Sequence, residues 1–226
     1  MKTARGREGL LELCISADVV VENDRRGVPE RLNIGYNTMR GVNPRIVYCS
    51  IPGFGDSGPR RDQAPAAYDS VMQAFIGIMH MTGAPGRPPT RASVSICDIG
   101  AAMYANQAIL LALAARARTG QGQRVEASMF ESQIAWLLFR AVGYFATGKA
   151  PAGKLDSASA HLSPYQVYST ADMELMVAAP NDRLFRKLAK VMDLAHLPDC
   201  AKYSTNASRV HNRTSSEHDG RSIEWG

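Results

Sequence analysis

Asp98 is the residue whose setting most invites chemistry. It heads residues 98–118, a stretch rich in Ala, Leu and Met that closes at Thr119-Gly120. A carboxylate at the first position of a buried helix faces N–H groups with no intrahelical partner and the positive end of the dipole, which hold it ionised and could present it as a nucleophile or base. The same placement suits a plain N-cap, and spacing alone does not choose between the two. Gly53-Phe54-Gly55-Asp56-Ser57-Gly58 satisfies G-x-G-x-x-G after an expected strand. No amphipathic helix follows it to receive a pyrophosphate, so the segment reads as a flexible glycine loop, able to move over a substrate, rather than a dinucleotide site. His80 lies in an apolar stretch and reads as a buried or partly buried structural histidine. His161, His196, His211 and His218 have no Cys or carboxylate at ligand spacing, so no metal site is expected. Cys14, Cys49, Cys97 and Cys200 are scattered, form no C-x-x-C pair and read as reduced thiols.

The elements that must position Asp98 follow from hydropathy. With 226 residues, 45% hydrophobic and 21% charged, the composition is globular and excludes collagen, coiled coil and wholesale disorder. The most apolar segment, residues 101–117, is cut by Asn106 and Gln107 and falls short of a membrane span, and no secretory signal opens the chain. A cytoplasmic setting is therefore expected. The net charge of +5 is spread among acids rather than gathered into a stripe, which argues against a nucleic-acid partner. Helices are expected over residues 8–16, over 28–40 with a break near 33–36, and over 68–82, 98–118, 130–147 and 183–194. Strands are expected over residues 18–23, 45–51 and 123–128, with an antiparallel pair inside 165–179 turning at Ala171-Asp172. This alternation predicts an α/β fold with parallel strands and crossover helices, although no strand precedes the first helix.

Four motifs carry a family resemblance. They are residues 17–23, Ala-Asp-Val-Val-Val-Glu-Asn; residues 43–55, from Asn43-Pro44 through Pro52-Gly53-Phe54-Gly55; residues 119–125, Thr-Gly-Gln-Gly-Gln-Arg-Val; and Ser163-Pro164-Tyr165-Gln166 with Asn181-Asp182. In this order the chain resembles the family III coenzyme A transferases, which include formyl-CoA and carnitine-CoA transferases and their relatives the α-methylacyl-CoA racemases. The resemblance implies an incomplete Rossmann-like large domain, residues 1–148, and the start of a small α+β domain, residues 149–213, before a disordered tail, 214–226. It implies that Asp98 is the nucleophile of an acyl-CoA:carboxylate CoA-transferase working through an aspartyl-CoA thioester. It further implies that Lys2, Asn23 and Arg31 contact CoA and that Tyr68 lines the pantetheine and acyl region. Solvated surface charges are the plainer reading of Lys2 and Arg31. The family motif E-N-F-x-P-G stands here as Glu22-Asn23-Asp24-Arg25-Arg26-Gly27, with an acid in place of the aromatic.

The partners so implied are an acyl-CoA, a carboxylic acid acceptor and a second copy in an interlocked homodimer, with no metal, membrane or nucleic acid. A racemase would have a histidine in the segment Ala67-Tyr68-Asp69-Ser70. Tyr68 occupies that place, and a phenol is a poor base at neutral pH, so transfer without racemisation is expected. Relatives begin before this chain's first element and return to the large domain after its last. The chain accordingly reads as an internal fragment or truncated product, with a non-catalytic remnant as a third reading.

Overall fold

The computed structural model describes residues 3–59, 67–150 and 153–213. They fall into two compact units, the first drawn from Met1–Met79 and Arg91–Pro151, the second from His80–Thr90 and Ala152–Gly226. Lys2 and the tail expected to be disordered lie outside the described residues.

The first unit opens on α1 (Ala4–Ser16), which starts four residues ahead of the expected residue 8, where the Thr3 hydroxyl accepts the Gly6 N–H at 3.2 Å. β1 (Val19–Glu22) follows, then α2 (Val28–Arg31) and α3 (Tyr36–Val42), with the intervening break at Asn33, whose φ is 54°. β2 (Val47–Ser50) is buried along its whole length, as the middle strand of a parallel sheet must be. It pairs with β1 from Val19 against Val47 and with β3 (Arg124–Glu126) from Tyr48 against Arg124. Alternation sorts the side chains between two cores. Ile46 and Tyr48 pack with Cys14, Ile34 and Met39 from the α1 and α3 side. Cys49 packs with Ala105 and Ala127 on the other.

The helix expected over 68–82 is two helices, α4 (Asp69–Phe75) and α5 (Ile78–Met81), separated at Gly77, whose φ of 89° no ordinary helical residue adopts. His80 is exposed in that short α5, not buried as its apolar surroundings suggested. α6 (Ile96–Thr119) runs 24 residues, two longer at its start and one at its end than residues 98–118. Its length and composition would suffice to cross a bilayer, which corrects the expectation drawn from residues 101–117; one side packs against β2, β3, α4 and α7 (Met129–Trp136), while Ile99, Met103, Leu110 and Leu111 are exposed, so it is not the buried helix expected. Beyond it, Gly122 has no room for a side chain, since a Cβ would stand 2.0 Å from the Ile46 carbonyl oxygen. The stretch expected as one helix over 130–147 bends at Leu137 into α7 and α8 (Leu138–Thr147).

In the second unit β4 (Tyr165–Ser169) and β5 (Glu174–Ala178) form an antiparallel pair, joined through residues 170–173. α9 (Asp182–Val191) is capped by Asn181, whose side chain accepts the Leu184 N–H at 3.0 Å. A 3-10 turn (Leu197–Asp199) leads to α10 (Asn206–His211). Arg209 of α10 is buried yet fully engaged: it donates to Asp182 Oδ1 at 2.8 Å and to the carbonyls of Ser163 and Tyr203, and lies over the Phe185 ring.

Candidate active site

Asp98 is the third residue of α6, not its cap. The N-cap is Ser95, whose side chain makes no capping hydrogen bond. The missing cap comes from another helix. Asp69, the first residue of α4 and only 8% exposed, accepts the Cys97 backbone N–H at 2.8 Å through Oδ1. Its other oxygen accepts from Gln73 Nε2 at 2.7 Å. Gln73, fully buried, accepts the Ala92 N–H at 2.9 Å through its own carbonyl, and its amide reaches the carbonyls of Ala92 and Val94. The segment that enters α6 is thus tied to α4 by side chains, one residue away from Asp98.

The Asp98 carboxyl is itself open to solvent. Surrounding protein atoms that displace part of its water, and secondly the Asp69 charge, raise its pKa above the ordinary aspartate value. The helix dipole was expected to hold this group ionised with ease; a neighbouring carboxylate and lost hydration outweigh it. Cys97, the other nucleophile nearby, is buried, and burial followed by the charges of Asp69 and Asp98 pushes its thiol up to about 12, so it stays protonated. Of these two groups, Asp98 is the one open to solvent.

Asp98 lines a cavity of about 490 Å³ together with Asn23, Arg25, Tyr68, Asp69 and Met129. That volume lies in the range of small-molecule sites. Two residues singled out from the sequence, Asn23 and Tyr68, therefore share the cleft with Asp98. Asn23 is fixed by donating from Nδ2 to the Ile51 carbonyl at 2.5 Å, and Tyr68 is 67% exposed at its mouth. Arg31, exposed at the end of α2, is not among the residues lining this cleft. A second cavity of about 460 Å³ shares Asp24 and Arg25 with the first, so the two openings adjoin. Its Arg26 and Arg124 both reach Asp56. Arg25 and Arg31 form no ion pair among the described residues.

The segment after β2 is not a free glycine loop. Phe54 is buried in the core with Met72, Cys97 and Met129 and stacks on Phe130. Pro52 and Gly53 carbonyls each accept a backbone N–H from the start of α7 at 2.9 Å, and the Asp56 N–H donates to Glu126 Oε1. Residues 52–56 are thereby anchored to α7 and β3. Asp69 and Gln73 are the residues that sequence reasoning passed over. A carboxylate and a carboxamide four residues apart inside an otherwise apolar helix were the available signal, because buried polar groups require partners.

With this geometry, comparison with known proteins becomes specific. The family model of CoA-transferase family III matches residues 1–223. The chain belongs to that family. A succinate–glutarate CoA-transferase of Agrobacterium fabrum is 36% identical over 210 residues, 93% of this chain and 52% of that protein. The human succinyl-CoA:glutarate CoA-transferase is 36% identical over 213 residues, 94% of this chain and 48% of that one. Among solved structures, a CAIB/BAIF family protein from Brucella suis superposes with a TM-score of 0.79 at 35% identity, covering 99% of this chain and 59% of that chain. The family III chain thus spans about half the length of the curated relatives it matches. Its mixed α/β architecture with a parallel sheet agrees with the expectation drawn from the four motifs.

Proposed function

We propose that this family III chain carries the nucleophile and part of the acyl-CoA cleft of an acyl-CoA:carboxylate CoA-transferase. The observation that carries this reading is a solvent-open carboxylate, Asp98, in the first turn of α6 and lining a cavity that adjoins a second one. An elongated thioester needs such a double opening, and Arg25 at the junction is a cation for its phosphates or for an acceptor carboxylate, with Arg31 assigned to CoA by the family resemblance alone. Lys2, Asn23 and Tyr68 complete the proposed contacts to CoA and the acyl region. A partly desolvated carboxylate with a second negative charge beside it is more basic, and so more nucleophilic once ionised, than one in bulk water.

In the proposed cycle an Asp98 oxygen attacks the thioester carbonyl carbon of the donor. The C–S bond breaks, CoA leaves as the thiolate, and an acyl-aspartyl anhydride remains. The thiolate attacks the aspartyl carbonyl, which releases the donor acid as its carboxylate and leaves Asp98 as a CoA thioester. The acceptor carboxylate attacks that thioester and expels the thiolate to give a second anhydride. Thiolate attack on the acceptor carbonyl then forms the new acyl-CoA and returns Asp98. Relay through the protein divides an exchange between two weak nucleophiles into steps that each have a good leaving group.

Replacing Asp98 with Asn is expected to reduce CoA transfer by a factor of at least about 10³, since the covalent step has no substitute. Undiminished transfer by that variant would end the reading. Run with a 2-methylacyl-CoA in deuterium oxide, the same assay is expected to leave the α-carbon unlabelled, because Tyr68 stands where a second base would be needed. Deuterium uptake that depends on Asp98 would favour racemisation instead.

A further inference from the structure

We propose that Asp69, held in place by Gln73, is a positioning residue for Asp98: it caps α6 from outside the helix and sets a fixed negative charge beside the reactive carboxylate. The inference rests on the reading of Asp98 as nucleophile for its meaning in catalysis, but its physical content stands on the geometry alone.

Three features carry it. First, α6 supplies no side-chain cap of its own at Ser95, and a long helix start left uncapped frays. The Asp69 carboxylate fills that role at Cys97, the residue next to Asp98, so the first turn that orients Asp98 depends on α4. Second, the partners of Asp69 are a backbone amide and a carboxamide, not a cation. An arginine or lysine in the place of Gln73 would hold the carboxylate equally well and would cancel its field at Asp98. Gln73 holds it and leaves that field intact. Third, Gln73 uses both ends of its amide, receiving the Ala92 N–H and reaching the 92 and 94 carbonyls, so the same side chain fixes Asp69 and the segment that leads into α6. Helix start, charge and approach are set by two buried side chains four residues apart.

The device addresses a real conflict. At a helix N-terminus the dipole and the free N–H groups make a carboxylate easier to ionise and a weaker nucleophile. Asp69 occupies one of those N–H groups and adds a repelling charge, both of which work against that effect.

The test is a carbon-detected NMR titration of side-chain carboxyls in the full 226-residue chain. In Asp69→Asn, which retains an oxygen for the Cys97 N–H, the Asp98 midpoint is expected to fall as the neighbouring charge is lost. In the unaltered chain the Cys97 amide, which donates to Asp69 Oδ1, is expected to be protected from exchange. That measurement needs no substitution, so it keeps the test decisive should Asp69→Asn fail to fold. In Gln73→Leu, amide exchange at residues 92–97 is expected to accelerate more than tenfold while the middle of α6 is unchanged. An Asp98 midpoint unmoved by Asp69→Asn, or an unprotected Cys97 amide in the unaltered chain, would overturn the proposal, because a purely structural cap would not move the Asp98 titration. Neither readout requires turnover. Failure of Asp98 to act as nucleophile would leave the coupling standing, and failure of the coupling would leave Asp98 chemistry open.

Discussion

Asp98 experiences opposed influences, and the outcome has a thermodynamic signature. The unfolded chain ionises it at an ordinary carboxyl value, while the folded chain binds its proton more tightly through partial desolvation and the Asp69 charge. Between those two midpoints the native state carries more protons than the unfolded state, so this group's contribution to stability falls as pH rises through the window and stays unfavourable above it. Asp98→Asn removes that contribution. The variant is expected to melt at a higher temperature than the parent at pH 7, and the gap should narrow as the pH is lowered towards 4, as read by calorimetric scans. A gap independent of pH would contradict the assigned direction. Asp98 was legible in the sequence because a carboxylate ahead of a long apolar run is a local pattern. Its charge partner was not, because Asp69 lies 29 residues upstream and becomes a neighbour only when α4 packs on α6.

The same division between local and tertiary information governs the elements. The three parallel strands were legible from short β-branched or apolar runs, and the antiparallel pair from its central turn. Helix limits were less so, since the Thr3 hydroxyl at α1 and the Asp69 carboxylate at α6, rather than the apolar pattern, cap the starts. The break at Gly77 also went unread, because an isolated glycine in an apolar run is compatible with a continuous helix. Motif residues gain a physical reason from the packing. Gly122 donates its N–H to the Pro44 carbonyl at 2.9 Å while the Ile46 carbonyl occupies the space of a side chain. Gly122→Ala should therefore cost about 2 kcal/mol or more in urea unfolding, since backbone on both sides must shift. At an unconstrained site the same change is neutral or mildly stabilising, and such a result would show that the approach of residue 122 to β2 is looser than described.

Across the molecule, apolar surface remains open. α8 has no buried residue, and Leu138, Val142 and Phe145 form an exposed stripe at helical spacing, with Phe145 at 82% exposure. Faces of this kind mark sites that another surface covers. We expect a second copy to do so, giving a dimer by light scattering; a monodisperse monomer at micromolar concentration would contradict that expectation. Nothing in the sequence pattern distinguished this stripe from a core-facing one, since both have the same period. The proposed mechanism itself meets its most direct test in locating the covalent adduct. The chain is incubated with an acyl-CoA, quenched with hydroxylamine, digested and mapped by peptide mass spectrometry. The account predicts conversion of Asp98 to its hydroxamate, absent without acyl-CoA. An unmodified Asp98, with transfer proceeding or with the adduct on another residue, would contradict it.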